Sequence, residues 1–118
     1  MINRNDVFAY AKKKFQADPD YPFEKFPNYA VLRHADSEKW FALLMRVPRS
    51  KLGLEGDAEL EIIDLKVAPE KVGHLRTREG FLPAYHMNKE HWLTVALDGS
   101  VSASEIHDLL DESYELTK

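Results

Sequence analysis

The sequence predicts an α+β protein, with a mainly antiparallel five-stranded sheet and three helices in the order α-β-β-β-α-β-β-α. Two observations carry this prediction. Apolar residues recur at helical spacing near both ends of the chain, and short β-rich runs separated by polar turns lie between them. Because short turns join neighbouring strands in antiparallel pairs, the helices are expected on one face of the sheet. No repeat, linker or low-complexity segment divides residues 1–118, so we expect one domain.

The N-terminal half predicts one helix followed by a β-hairpin. Either Asn3 or Asn5 can cap a helix that continues to about Ala17. Two β-rich runs, 29–34 and 39–47, flank a short polar turn and should pair as a hairpin. The second run is apolar at both parities, which predicts a central strand covered on both faces.

An irregular segment joins the first helix to this hairpin. Its three prolines, all between residues 18 and 28, forbid a helix and favour an extended path. The segment also carries the aromatic residues Tyr21, Phe23 and Phe26. We expect these rings to pack the segment onto the core, and the alternative is an aromatic rim that faces a ligand.

The C-terminal half predicts three further strands and two helices. In the third strand, apolar residues alternate with Asp64 and Lys66, which predicts a half-buried strand after an irregular stretch at 48–56. Ser102 and Glu105 have the spacing of a capping box at the start of the last helix. The expected elements are a strand over 59–67, a helix from Pro69 to Gly80, strands over 82–86 and 92–97 around a tight turn at Asn88, and a helix from Ser102.

Composition argues against most catalytic classes. The chain has no cysteine, which excludes disulfides, Fe–S clusters and thiolate zinc sites. It also lacks a glycine-rich phosphate loop, a G-x-S-x-G elbow and a recognisable catalytic triad, so we expect no enzyme and no cofactor. The longest apolar run, Trp40 to Met45, is far shorter than the ~18 residues that span a bilayer. With no signal-peptide pattern either, we expect a cytoplasmic protein with no membrane partner.

Charge is distributed unevenly along the chain. The formal net charge is −4. Residues 1–51 hold ten Lys/Arg against six Asp/Glu, whereas residues 52–118 hold six against fourteen. An acidic chain is a poor general binder of polyanions, because affinity for phosphates requires clustered cations. The positive first half could still form a local patch, if its cations gather beside the turn at Asn88.

A series of acidic residues precedes and enters the third predicted strand. Glu55, Asp57, Glu59 and Glu61 occupy every second position. If this stretch is extended, all four carboxylates line one face and could attract a hard cation. The alternative is a solvated strand edge that its charge keeps soluble.

The segment from Tyr85 to Trp92 is the most unusual in the chain. It holds two histidines, His86 and His91, which suggest a metal site or acid–base chemistry. Their spacing does not match the i, i+4 pairs of helical metal sites, and the sequence offers no third ligand. A structural role in the turn, with His86 and Asn88 satisfying backbone groups, is the expected alternative.

The same segment carries a resemblance to a known family. Leu65-Lys66-Val67, Pro69-Glu70, Gly80, the string Pro83-Ala84-Tyr85-His86-Met87-Asn88-Lys89 with His91-Trp92, Leu97-Asp98-Gly99 and Ser113-Tyr114 stand in order along the chain. This pattern resembles the MmcQ/YjbR family of small bacterial proteins. The resemblance implies a CyaY-like fold, similar to that of the frataxin group, and binding of double-stranded DNA through two hairpin wings, here 29–47 and 82–97.

The resemblance implies a non-enzymatic binding module, and it selects candidate residues. The alternatives are a domain that binds a small ligand or a protein at Tyr85–Trp92, or one that binds metal at Glu55–Glu61. The candidate phosphate contacts are Arg46, Arg49, Lys51, Arg76, Arg78, Lys89 and His91, and the family motif comprises Tyr85, His86, Asn88, Lys89, His91 and Trp92.

Overall fold

The computed structural model describes residues 1–118 and confirms the predicted class and order of elements. None of its helices has both the length and the apolar character needed to cross a membrane. A short 3-10 turn, Arg49–Leu52, lies in the stretch predicted to be irregular. The elements are α1 (Arg4–Phe15), β1 (Ala30–Arg33), β2 (Trp40–Pro48), β3 (Glu59–Lys66), α2 (Pro69–Leu75), β4 (Phe81–Pro83), β5 (Trp92–Ala96) and α3 (Ala103–Leu116).

The five strands form one antiparallel sheet in the spatial order β1-β2-β3-β5-β4. β2 and β3 make the longest pairing, which ends with Pro48 opposite Glu59. β5 pairs with the other edge of β3, where Lys66 lies opposite Trp92. β3 is therefore the middle strand, and its two ends belong to opposite ends of the sheet.

All three helices pack on one face of the sheet, as predicted. Val7 of α1, Val72 of α2 and Ile106 of α3 belong to one apolar cluster together with strand residues such as Leu44. Side chains alternate between the two faces along a strand, so every second strand residue points into this cluster. We call this side the helix face.

Irregular segments cover the opposite face, which we call the loop face. Strand residues such as Leu43 and Met45 form a second apolar cluster there, so β2 is buried on both sides, as its sequence predicts. Phe23 packs against this cluster from the proline-rich segment, and Leu52 and Tyr85 pack against it from two other loops. The residues that lie outside regular structure therefore form most of one layer.

The first helix ends two residues earlier than its composition suggests. Asn3 is the cap, and it forms a reciprocal capping box with Asp6. Gln16 leaves the helical region with φ 56°. Its backbone N–H donates to the carbonyl of Lys12, and the N–H of Ala17 donates to the carbonyl of Ala11. The predicted end at Ala17 is wrong because this left-handed residue closes the helix first.

The second helix is also shorter than predicted. It ends at Leu75, and two turns carry the chain on to Gly80. Gly80 has φ +92°, and a Cβ at this position would approach within 2.7 Å of the Val101 side chain. Gly80 is therefore required by a close approach and a left-handed backbone, rather than as the stop signal of the helix.

The fourth strand differs most from its predicted range, 82–86. It ends at Pro83, because the backbone N–H of Tyr85 donates to the Thr94 side chain and His86 adopts φ +67°. The chain between Ala84 and His91 is a long loop, which we call the motif loop, in place of the predicted tight turn. The other four strands differ from prediction by no more than one residue at either end.

The last helix begins as predicted, but only half of its capping box forms. The Ser102 hydroxyl accepts the backbone N–H of Glu105. The Glu105 carboxylate instead accepts two hydrogen bonds from the Arg78 guanidinium, at 2.6 and 2.8 Å. This long-range pair replaces the local contact that the capping-box spacing suggests.

Candidate nucleic-acid interface

Asn88 builds the motif loop from within. Its side-chain oxygen accepts the backbone N–H groups of Glu90, at 2.8 Å, and His91, at 3.2 Å. Its carbonyl accepts the N–H of Trp92, and the carbonyl of His91 accepts the N–H of Val67. Asn88 therefore has the structural role expected of an Asx turn, and the bond to His91 ties the loop to the residue that follows β3.

A buried carboxyl lies under this loop on the loop face. The Asp64 side chain has no exposed surface, and its Oδ1 accepts a 2.5 Å hydrogen bond from Thr94 Oγ1. Its Oδ2 has no partner. Burial raises the pKa of Asp64 to about 7, although the Thr94 hydrogen bond and the charge of Lys89 oppose the shift.

Sequence reasoning missed Asp64 as a buried group. The alternation of β3 predicts a half-buried strand, but loops cover the second face and enclose Asp64. The apolar residue Ile62, at the same parity, was the one available signal. The predicted half-buried pattern is therefore wrong at Asp64.

An aromatic pocket of about 320 Å³ lies on the loop face. Leu43, directly opposite Asp64 on β2, contributes to its lining. Phe23 meets the Trp40 ring edge-on, with ring centroids 5.8 Å apart. The expected packing onto the core is confirmed for Phe23, which is half-buried, and is wrong for Tyr21 and Phe26, which are exposed. The alternative, an aromatic rim that faces a ligand, stays a prediction. The lining residues are Phe23, Phe26, Tyr29, Trp40, Leu43, His86 and Met87.

His86 enters this pocket from a strained backbone. A non-glycine residue at positive φ costs of the order of 1–3 kcal/mol and persists where surrounding structure holds it. Its ring lies 4.0 Å from that of Tyr85 and 6.4 Å from that of Tyr29. The surrounding structure therefore holds an imidazole at an otherwise apolar pocket.

A second cavity, of about 420 Å³, opens at the end of the sheet where β5 begins. We call it the lysine–tryptophan cavity. Lys66 and Trp92 face each other across β3 and β5, and Lys39 joins them from the start of β2. No aspartate or glutamate lines it. The lining residues are Lys39, Trp40, Lys66, Met87, Trp92, Leu116, Thr117 and Lys118.

Two of these lysines have no acidic partner. Lys118 pairs with Glu115 at 3.1 Å, but neither Lys39 nor Lys66 forms a salt bridge. Lys89 and His91 are exposed on the adjoining motif loop. The cavity is therefore a local cationic site with two indole walls, on a protein whose net charge is −4.

The arginines predicted as phosphate contacts are mostly engaged elsewhere. Arg46 lies 3.6 Å from Glu61, which also accepts two short hydrogen bonds from Arg4. The Arg78 guanidinium is held by Glu105, whose pKa it lowers. Arg49 donates to the carbonyl of Glu55, while Lys51 and Arg76 are exposed without a salt bridge.

These cations do not gather beside the motif loop. Arg46 lies opposite Glu61 near the start of β3, whereas Lys66 ends β3. At about 3.3 Å per residue, Glu61 and Lys66 are roughly 17 Å apart along the strand. The expected joining of Arg46, Arg49 and Lys51 with the turn at Asn88 is therefore wrong, because antiparallel pairing places them at the other end of the sheet.

The four acidic residues do not line one strand either. Glu55 and Asp57 lie in the loop before β3, and only Glu59 and Glu61 belong to the strand. Glu61 is already paired with Arg4. No three acidic or histidine side chains are grouped closely enough to hold a metal ion, and this includes His86 and His91.

The YjbR family model matches residues 12–116. The protein belongs to the YjbR family. This confirms the resemblance that the Tyr85–Trp92 motif carries, and it extends over most of the chain.

Relatives support the YjbR assignment over the full length. YyaQ of Bacillus subtilis (strain 168) is 47% identical over 118 residues and covers 100% of both chains. A crystal structure of a Pseudomonas syringae protein superposes with a TM-score of 0.96 at 55% identity, covering 99% of this chain and 100% of that one. A Deinococcus radiodurans structure described by the domain DUF419 has a TM-score of 0.75 at 28% identity, covering 98% and 78%. YyaQ is named only as an uncharacterized protein, so these likenesses establish family and fold.

Proposed function

We propose that this YjbR-family protein is a non-enzymatic nucleic-acid-binding module whose contact surface is the lysine–tryptophan cavity. The observation that carries the proposal is the pairing of two free lysines, Lys39 and Lys66, with two indoles in one cavity. Ammonium groups neutralise phosphates, and tryptophan rings stack on bases of any sequence. We also propose that the protein acts in the cytoplasm, where nucleic acid is available to it, and that its fold is related to the CyaY fold.

The cavity favours a single strand over a duplex. Trp40 and Trp92 can stack only on bases that are not already stacked within a helix. Lys89 and His91 add donors on the exposed motif loop beside it. The proposed surface therefore includes the predicted contacts near Trp92. It lies at one end of the sheet and does not use two hairpin wings.

The acidic net charge predicts weak binding with a modest dependence on salt. For single strands, each neutralised phosphate contributes about −0.7 to the slope of log K against log salt, so two contacts give a slope of about −1.4. Raising the salt from about 50 mM to about 200 mM should therefore lower the affinity roughly sevenfold.

Fluorescence anisotropy with a labelled single strand of about 12 nucleotides tests the proposal directly. The variant Lys39→Glu/Lys66→Glu should lower the affinity at least about tenfold, because two cations become two anions. The matched control is Arg49→Glu/Lys51→Glu, which changes the charge equally at the opposite end of the sheet. It should change the affinity by less than about twofold.

Two results would overturn the proposal. One is the absence of binding by the wild-type protein at about 50 mM salt. The other is a loss confined to Arg49→Glu/Lys51→Glu, which would return the interface to the end of the sheet that holds the 3-10 turn.

A further inference from the structure

We propose that the aromatic pocket binds one unstacked nucleobase, carried on the same ligand whose phosphate lies at the lysine–tryptophan cavity. This role deepens the proposed function and rests on it. It gives a binding role to four residues that do not line the lysine–tryptophan cavity: Phe23, Phe26, Tyr29 and His86.

The two cavities share a wall. Trp40 and Met87 line both of them, and Lys39 directly precedes Trp40 in the chain. A phosphate held by Lys39 therefore places the attached base within reach of the pocket on the far side of Trp40. This continuity is the reason to assign a base, rather than an unrelated apolar molecule, to the pocket.

The pocket offers a platform for stacking. Phe26 lies parallel to Tyr29, with ring centroids 4.7 Å apart and an interplanar angle of 14°. Phe26 is 48% exposed, so its outer surface is available to a further planar group. Stacking of one base on an aromatic ring is a large contribution to the affinity of a weakly bound ligand.

The size and polarity of the pocket match one planar ring system. Its volume of about 320 Å³ is at the lower end of the ~300–1,000 Å³ range of ligand sites. His86 supplies a ring nitrogen that can donate to or accept from the edge of a base. An apolar pocket with a few polar groups is the usual form of a site that orients a small ligand.

The test compares three probes by anisotropy competition at about 50 mM salt. The probes are single-stranded oligo(dA), an abasic oligomer with the same number of phosphates, and deoxyadenosine monophosphate. Phe26→Ala removes the exposed platform. His86→Gly removes the imidazole and suits the positive φ at this position. Tyr21→Ala is the matched control, because Tyr21 is 50% exposed on the same segment but does not line the pocket.

Phe26→Ala and His86→Gly should each weaken oligo(dA) binding at least about fivefold and leave the affinity of the abasic oligomer within about twofold. Tyr21→Ala should leave both unchanged. If the monophosphate binds as tightly as oligo(dA) and is equally sensitive to Phe26→Ala, the base comes from a free nucleotide rather than from a strand. Both sources support base binding in the pocket.

Equal affinity of oligo(dA) for the wild type, Phe26→Ala and His86→Gly would overturn the base-binding role. If Lys39→Glu/Lys66→Glu still abolished binding in that case, the proposed function would stand without it. If neither oligomer bound the wild type at all, the proposed function itself would fail, and the base-binding role with it.

Discussion

The two faces of the sheet differ in how they are covered and in what they contain. On the helix face, three helices bury regular apolar stripes, and Leu110 and Ile106 are fully enclosed. On the loop face, irregular segments enclose the Asp64 carboxyl, whose Oδ2 has no hydrogen-bond partner, and hold His86 in a strained conformation. Strain and unsatisfied polar groups lower stability, so they persist where other structure compensates for them. The helix face therefore supports the fold, and the loop face carries the candidate site.

The largest expected effect lies on the helix face. Leu110→Ala should lower the free energy of unfolding by about 3 kcal/mol, because it leaves a cavity in a fully packed cluster. Urea denaturation measures this loss. The folded protein that remains should bind oligonucleotides with unchanged affinity. A loss of affinity in the folded variant would contradict the assignment of binding to the loop face.

The next effect concerns the protonation of Asp64. The pKa of Asp64 is raised by burial, so the folded protein holds its proton more tightly than the unfolded chain. The contribution of this proton to the free energy of unfolding is fully present below the ordinary pKa of an aspartate, and it is lost as pH rises through about 7. Raising the pH from about 5 to about 8 should therefore lower the free energy of unfolding by about 2–3 kcal/mol through Asp64.

Asp64→Asn isolates this contribution. The variant should lose less unfolding free energy than the wild type between the two pH values. Burial lowers the pKa of His34, so its contribution is lost as pH falls through the acidic range, and it is common to both proteins. Asp57→Asn, in an exposed loop, should keep the wild-type profile. Parallel profiles for the wild type and Asp64→Asn would show that Asp64 titrates normally.

A smaller effect is expected for the ion pair that ties α1 to β3. Arg4 donates to both carboxylate oxygens of Glu61, and both side chains are largely buried. Glu61→Gln should cost about 1 kcal/mol, whereas Glu115→Gln should cost less than about 0.5 kcal/mol because the pair with Lys118 is exposed. Thermal unfolding of both variants measures the difference, and equal costs would contradict it.

The smallest expected change in stability has the opposite sign. His86→Gly should stabilise the protein relative to His86→Ala by about 0.5–1 kcal/mol, because glycine accepts the positive φ without strain. Chemical denaturation of the two variants checks this. If the two variants were equally stable, the backbone at His86 would not be strained. Strain could then no longer be used as an indication of function on the loop face.

Local signals explain which parts of the fold were predictable. The cap at Asn3, the proline that opens α2 and the apolar stripe of α3 act over a few neighbouring residues. The end of β4 was not predictable in this way. Its position depends on Thr94, which lies on another strand. The Thr94 side chain accepts the backbone N–H of Tyr85, which would otherwise donate to a carbonyl of the neighbouring strand.

The candidate site depended even more on pairing between distant segments. The motif includes Trp92, which lines the proposed cavity, but Lys39 and Lys66 carry no local signal. They meet because β2, β3 and β5 pair in one particular register. The same register separates Arg46 from the motif loop, and loops from distant parts of the chain cover the face that holds Asp64.

The salt dependence of single-strand binding tests the central claim most directly. For single strands, the slope of log K against log salt is about −0.7 for each phosphate neutralised. Lys39→Ala/Lys66→Ala should make the slope less negative by about 1.4, because two phosphate contacts disappear. An unchanged slope, with Arg49→Ala/Lys51→Ala producing the change instead, would contradict the assignment of the interface to the lysine–tryptophan cavity.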